Sequence, residues 1–203
     1  MPDNVVFPLP APSVHGVMSV EEALSRRRSV REYAPGPLRL PEVGQLLWAA
    51  QGITSESGGR TAPSARAVHP LEVLLVAGEV EGLEPGVYRF LPEGHQLAAV
   101  RAGDAREPLA TAARGQEAVR SGSITLVIAA DYDRTKSKLG DRGAKYVDVE
   151  AGHAAQSVCL QATALGLGTV TMGAFSEDAV RDVLGLAPEE TPVYVLPVGR
   201  AVG

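Results

Sequence analysis

Strand-like and helix-like patterns alternate along this chain of 203 residues, which predicts an α+β or α/β fold rather than a helix bundle or a β-sandwich. Three observations carry the prediction. Runs rich in β-branched and aliphatic residues occupy 71–77, with Glu72 inside the first, and 124–130, as in buried strands. Two shorter runs, 87–90 and 96–100, are bridged by Pro92-Glu93-Gly94, as in a hairpin. Ala151, Ala154, Ala155, Val158, Ala162 and Leu165 repeat at the three-four spacing of a long helix over residues 147–165.

The other elements follow from local signals. Residues 1–18 carry Pro2, Pro8, Pro10 and Pro12 and read as an extended arm. Residues 19–203 read as a single domain. Ser19 and Glu22 have the spacing of a capping box, which starts a first helix. Pro35 and Pro37 end that region, and Pro41 suits the first turn of a second helix through Ala50. Residues 52–63 contain three glycines and several hydroxyls and read as a loop. A helix is expected within 104–120, interrupted in pattern by Pro108 and Gly115. Gly166 stands where a left-handed helix cap belongs, residues 169–175 read as a short strand or turn, Ser176 caps a helix ending at Gly185, and 193–198 is the last strand.

Composition narrows the function classes. A formal charge of −5 argues against general nucleic-acid binding, which needs a basic face. The single cysteine, Cys159, excludes an internal disulfide and a cysteine zinc cluster and fits a reducing, cytoplasmic setting. No run approaches the roughly 20 apolar residues of a membrane span. Aromatic residues make up 4% of the chain, so the core is expected to consist of Val, Leu and Ala. Glycine and proline together are 37 residues, about 18% against a usual 12% or so, which points to special backbone work.

Four segments carry candidate chemistry. Arg26-Arg27-Arg28-Ser29-Val30-Arg31 places four guanidiniums in six residues; it suits either a dianionic phosphate or a solvated helix end opposing the helix dipole. Pro63-Ser64-Ala65, at the mouth of the first core strand, is a turn that exposes N–H groups and a hydroxyl, or an ordinary strand entry. Gly166-Leu167-Gly168-Thr169-Val170-Thr171-Met172-Gly173 follows a helix and leads into a strand, the reverse of a dinucleotide-binding turn, so its glycines would instead let main chain approach a flat ligand. Lys145-Tyr146, just before the long helix, pairs a phenol with a cation that favours its ionised form, or is a surface lysine beside a core-edge tyrosine. Glu150 and His153 are spaced to pair on one helix; without a third ligand in phase no metal site is expected. No Gly-x-Ser-x-Gly elbow occurs, and Cys159 reads as a small core residue.

The order of these features resembles the nitroreductase superfamily. The resemblance rests on the Arg-Arg-Ser-x-Arg cluster, the Pro-Ser-Ala turn before Pro-Leu-Glu, Glu-Ala-Gly-His-Ala-Ala-Gln at 150–156, Gly-Leu-Gly-Thr, and Leu-Pro-Val-Gly-Arg at 196–200. Within it the chain looks most like the SagB/ThcOx-type dehydrogenases, which oxidise azolines in peptide natural products. The resemblance implies an α+β fold with a central, mostly antiparallel sheet flanked by helices, a homodimer, and FMN at the dimer interface. It would assign Arg27, Arg28, Ser29, Arg31 and Arg200 to the phosphate and ribityl chain. Pro63, Ser64 and Ala65 would approach the flavin from the partner copy, and Met172, Gly173 and Ala174 would lie against the ring. Lys145 and Tyr146 resemble the base of the dehydrogenases.

Arg66 and His69 depart from the family pattern, which shows glycine and an aromatic in that turn. Two alternatives to the dehydrogenase stand beside it: an NAD(P)H-dependent nitro or quinone reductase acting on a small molecule and, from another class, a non-catalytic flavin-binding or partner-dependent subunit. A flavin-degrading member of the superfamily is a further reading.

Overall fold

In the computed structural model, which describes residues 5–202, each face of one antiparallel sheet is covered by helices. The chain enters through β1 (Val6–Pro8), α1 (Val20–Arg26), β2 (Tyr33–Ala34), β3 (Leu38–Arg39) and α2 (Leu40–Gln51). β4 (Leu71–Ala77), β5 (Val80–Glu81), β6 (Gly86–Leu91) and β7 (Gln96–Ala102) follow. α3 (Arg106–Ala112), α4 (Glu117–Ser121), β8 (Ile124–Asp131), α5 (Tyr132–Leu139), α6 (Arg142–Ala164), β9 (Leu167–Thr169), α7 (Glu177–Leu184) and β10 (Glu190–Ala201) complete it.

The sheet order is β1-β7-β6-β4-β8-β10-β2, with β9 also on β10. Every pairing in it is antiparallel; β3 and β5 form a separate parallel pair. Side chains alternate between faces along a strand, so a strand covered on both sides is apolar throughout. Leu71, Val73, Leu75 and Ala77 of β4 pack with α2 and α6, while Leu74 and Val76 pack with α3 and α7. Val, Leu and Ala dominate both clusters, as composition predicts.

Local chemistry explains most helix ends. Ser19 Oγ accepts from the Glu22 N–H at 3.1 Å, and Ser176 Oγ from the Ala179 N–H at 3.4 Å. Gly166 and Gly185 both take positive φ, 70° and 64°, where the helices before them stop. The helix expected within 104–120 is two helices, because Arg114 and Gly115 turn left-handed between them. Residues 6–8 of the expected arm are a packed edge strand, and Leu9 behind them is buried. α5 is an addition to the expectation: it buries only Thr135, so it carries no apolar stripe to read. Among the described residues no helix is long and apolar enough to cross a membrane.

Candidate active site

The arginine segment leaves the end of α1 and lies against β9. Ser29 bridges to Thr169, and the Val30 N–H donates to the Thr169 carbonyl at 2.9 Å. The Tyr33 hydroxyl, which burial pushes above its usual range, donates to the carbonyls of Val30 and Pro197, both at 3.1 Å. This close packing uses two glycines. A methyl on Gly168 would lie 2.6 Å from Val30 Cγ1, and one on Gly199 2.5 Å from Tyr33 Cγ. These two glycines therefore admit protein side chains, not the flat ligand expected of this turn.

The segment presents free cations. Arg28 Nη1 donates to the carbonyls of Ser25 and Arg27, at 2.9 and 2.8 Å. Among the described residues no carboxylate pairs with Arg27, Arg28 or Arg31, whereas Arg26 pairs with Glu22 at 2.9 Å. Ser29 is exposed beside them. A set of guanidiniums with no carboxylate partner suits an oxyanion such as a phosphate.

Arg200 lies on β10 next to this segment, but its fork is filled. Nη1 and Nη2 donate to the two Glu42 oxygens at 2.9 and 2.8 Å, and Nη2 also to the Pro37 carbonyl. Arg39 donates to the same carboxylate from its side chain and its backbone N–H. Burial raises the Glu42 carboxyl, and the hydrogen bonds from Arg200 and Arg39 outweigh it, leaving it at about 2. Arg200 therefore ties β10 to α2 here instead of joining the open cations.

Residues 172–174 continue along the same edge of β10. Met172 and Val195 exchange both N–H···O bonds at 2.9 Å, and Gly173 and Ala174 are exposed. The nearest atom to a methyl placed on Gly173 is 3.9 Å away, so this main chain is open to a flat ligand. Three residue steps of β10 separate Val195 from Val198, which faces Thr169: about 10 Å at ~3.3 Å per residue.

The Pro-Ser-Ala turn is elsewhere. It feeds Leu71, which faces Ala130 on β8, whereas Val198 faces Ile124 at the other end of β8. From Ala130 to Ile124 is six residue steps, about 20 Å. Within the turn Ser64 Oγ accepts from the His69 N–H at 2.9 Å, and Glu150 Oε1 accepts from the Ala65 N–H at 2.7 Å. Glu150 is thus not paired with His153, which is exposed. Burial, with Arg60 adding to it, pushes the His69 imidazole below its ordinary value, and its buried Nδ1 has no hydrogen-bond partner.

Lys145 and Tyr146 are inside α6, not before it, and both are exposed. Tyr146 is four residues before Glu150 and so on the same helix strip, on the side of the Pro-Ser-Ala turn. Cys159 is buried with Sγ 3.5 Å from Thr171 Oγ1, a core position. The Glu42–Arg200 pair and the bond from Ala65 to Glu150 carry no local sequence signal, because the partners lie 158 and 85 residues apart. One chain thus gathers the arginine segment and residues 172–174 on one edge, and the turn with Tyr146 at the opposite end of the sheet.

The sequence profile described as the Nitroreductase family matches residues 24–200. The chain belongs to the nitroreductase family. A Methanocaldococcus jannaschii protein named as a nitroreductase is 44% identical over 185 residues, which is 91% of this chain and 92% of that protein. The crystal structure of a Ralstonia eutropha protein described as a nitroreductase superposes with TM-score 0.84 at 29% identity, covering 98% of this chain and 90% of that one. The Escherichia coli microcin synthetase McbBCD complex with truncated pro-MccB17 contains a chain of the same fold, with TM-score 0.77 at 22% identity, covering 100% of this chain and 80% of that one. The family consists generally of flavin-dependent oxidoreductases, and this chain is a nitroreductase-family oxidoreductase on that ground.

Proposed function

We propose that this nitroreductase binds FMN and works as a cytoplasmic homodimer of the SagB/ThcOx dehydrogenase type. The observation that carries the flavin reading is the edge of β10. The segment of Arg27, Arg28, Ser29 and Arg31, whose guanidiniums pair with no carboxylate among the described residues, joins the sheet at Thr169, about 10 Å along β10 from the open main chain that starts at Met172. The donors suit a phosphate, and Gly173 leaves space for a flat ring. Arg200 contributes to this site by holding β10 against α2, and Glu42 would have to yield before it could bind phosphate as well.

A bound flavin supplies hydride exchange at its N5. The chain supplies position, main-chain contacts and a proton acceptor, for which the exposed Tyr146 phenol beside Lys145 is the candidate. The homodimer reading follows from the split site. The Pro-Ser-Ala turn lies six residues along β8 from the arginine segment, so the turn of a second copy would complete the pocket. Exposed Val14, Val17, Val20 and Leu24 rim a groove of about 660 Å³ or flank it, and Tyr146 and Val149 extend apolar surface along α6. Burying such a surface against a second copy removes it from water.

The dehydrogenase branch draws support from the likeness to a McbBCD chain and from the Rhizobium leguminosarum trifolitoxin operon protein TfxC. That protein is 27% identical over 88% of this chain and 54% of its own length. The partner in a complex such as McbBCD also keeps a partner-dependent subunit in view. A reductase using NAD(P)H is favoured by the fold shared with a Vibrio harveyi NADPH:FMN oxidoreductase, with TM-score 0.64 at 21% identity over 91% of this chain and 69% of that one.

The visible spectrum of the purified protein tests the cofactor, and Arg27→Ala with Arg31→Ala tests its seat. Loss of two charge-assisted contacts at roughly 1.5 to 3 kcal/mol each should lower FMN affinity by two to four orders of magnitude. Unchanged flavin content in the double variant would remove the arginine assignment. Bleaching of the flavin by NADH or NADPH selects the reductase reading. Azoline oxidation that Tyr146→Phe abolishes, with flavin retained, selects the dehydrogenase.

A further inference from the structure

Three of the four residues after the Pro-Ser-Ala turn have left-handed backbone: Arg66 at φ 54°, Ala67 at 52° and His69 at 52°. None is glycine, and such strain persists only where surrounding contacts over-determine it. Three tethers do so. Ser64 Oγ accepts from the His69 N–H at 2.9 Å, which closes the turn on itself. Arg134 Nη1 donates to the His69 carbonyl at 2.9 Å, which ties it to α5. Glu150 Oε1 accepts from the Ala65 N–H at 2.7 Å, which ties it to α6.

The third tether is unusual in its chemistry. Glu150 is 4% exposed, and among the described residues it pairs with no cation. A buried carboxylate held by one neutral N–H is a costly way to bury a helix position. The helix does not need it, since Val147, Ala151, Ala154 and Val158 already bury that face. With the Ala65 N–H taken by Glu150, the Ser64 hydroxyl, which accepts from the His69 N–H and keeps its own proton, is a donor still available on the turn.

We infer that Glu150 is a positioning residue that fixes the turn so that Ser64 donates to the flavin of the partner copy. This rests on the flavin and homodimer reading above. Glu150 does not touch the flavin. It acts through the Ala65 N–H, so removing either end of that bond has the same effect.

FMN affinity by fluorescence titration, the flavin's visible band and midpoint potential, and the oligomeric state are measured for the full-length protein and three variants. Glu150→Leu is expected to weaken FMN affinity about 10- to 100-fold and to shift the band and the potential, with the dimer intact. Glu150→Gln keeps an acceptor oxygen and should stay within about threefold of wild type. Ala65→Pro removes the N–H and sets a ring carbon where the Glu150 oxygen lies, so it breaks this tether without altering Glu150 itself. Proline fits the first position of this short helical turn, and Ser64 before it is already extended at φ −131° and ψ 137°. It should reproduce Glu150→Leu, and it decides the matter alone if Glu150→Leu fails to fold. FMN binding, band and potential all unchanged in Ala65→Pro would overturn the inference while leaving the flavin reading intact. A wild-type protein that binds no FMN would overturn the flavin reading first, and this inference with it.

Discussion

Replacing Glu42 with glutamine asks what Arg200 does. Glu42 is 4% exposed and accepts from both Arg39 and Arg200, which hold its carboxyl at about 2 against an ordinary 4.5. A shift of 2.5 units corresponds to about 3.4 kcal/mol at ~1.36 kcal/mol per unit. Arg39 is 63% exposed and its share is screened by solvent, so about 2 to 3 kcal/mol is the better figure. The folded value lies below the unfolded one. The contribution is therefore fully present above pH 4.5 and is lost as pH falls through about 2. In urea unfolding at pH 7, Glu42→Gln should lose about 1 M in midpoint if the slope is about 2 to 3 kcal/mol per M. The gap between variant and wild type should narrow steadily from pH 4.5 downward. A gap that is absent at pH 7, or equally large at pH 2.5, would refute the reasoning. The same variant leaves one acceptor oxygen where Arg200 used two and so loosens the Arg200 fork; tighter FMN binding at unchanged dimer content would give Arg200 a phosphate role that Glu42 holds in check.

Gly168→Ala places a methyl 2.6 Å from Val30 Cγ1 and 2.9 Å from its Cβ, so Val30 must move and the arginine segment with it. A cost of about 1 to 3 kcal/mol and a drop in FMN affinity larger than that of Gly166→Ala on a flavin titration are expected. Equal affinities would mean that β9 does not align the arginines. His69, its proton affinity lowered by burial and by Arg60, should make folding less favourable as pH falls below about 6.5, where the unfolded chain takes up a proton that the folded chain resists. His69→Asn should flatten the thermal-unfolding midpoint between pH 7 and 5; an unaltered pH dependence would contradict that placement.

The parts legible in the sequence are those whose physics is local or periodic. β4 and β8 are readable because both faces are covered, so apolar residues occupy both faces and only Glu72 and Thr125 interrupt the runs over 71–77 and 124–130. The ends of α1 and α7 were readable because Ser19 and Ser176 cap the helices a few residues away. α5 was not, since a helix that buries one threonine has no periodic signal. β2, β3 and β5 are two residues each and exist only as partners of distant chain. The arginine cluster announced itself by composition, but its pairing state did not. Nothing near Arg200 in sequence foretells Glu42, and nothing near Ala65 foretells Glu150.

That division has a consequence for the site. The motifs are legible by their order along the chain, yet the sheet register decides which of them meet. Antiparallel pairing of β8 with both β4 and β10 sends the Pro-Ser-Ala turn to the Ala130 end and the Val-Gly-Arg strand end to the Ile124 end. A one-residue slip of β4 on β8 would turn its side chains to the wrong faces, so the two ends cannot be brought together by re-registering the sheet. Bending the turn across about 20 Å would break its bonds to Glu150 and Arg134. A ligand held by both motifs therefore needs the turn of another copy. Dilution below the dimer dissociation constant should then release FMN and lower the apparent mass together, and a monomer that keeps full flavin affinity would show that the arginine edge suffices alone.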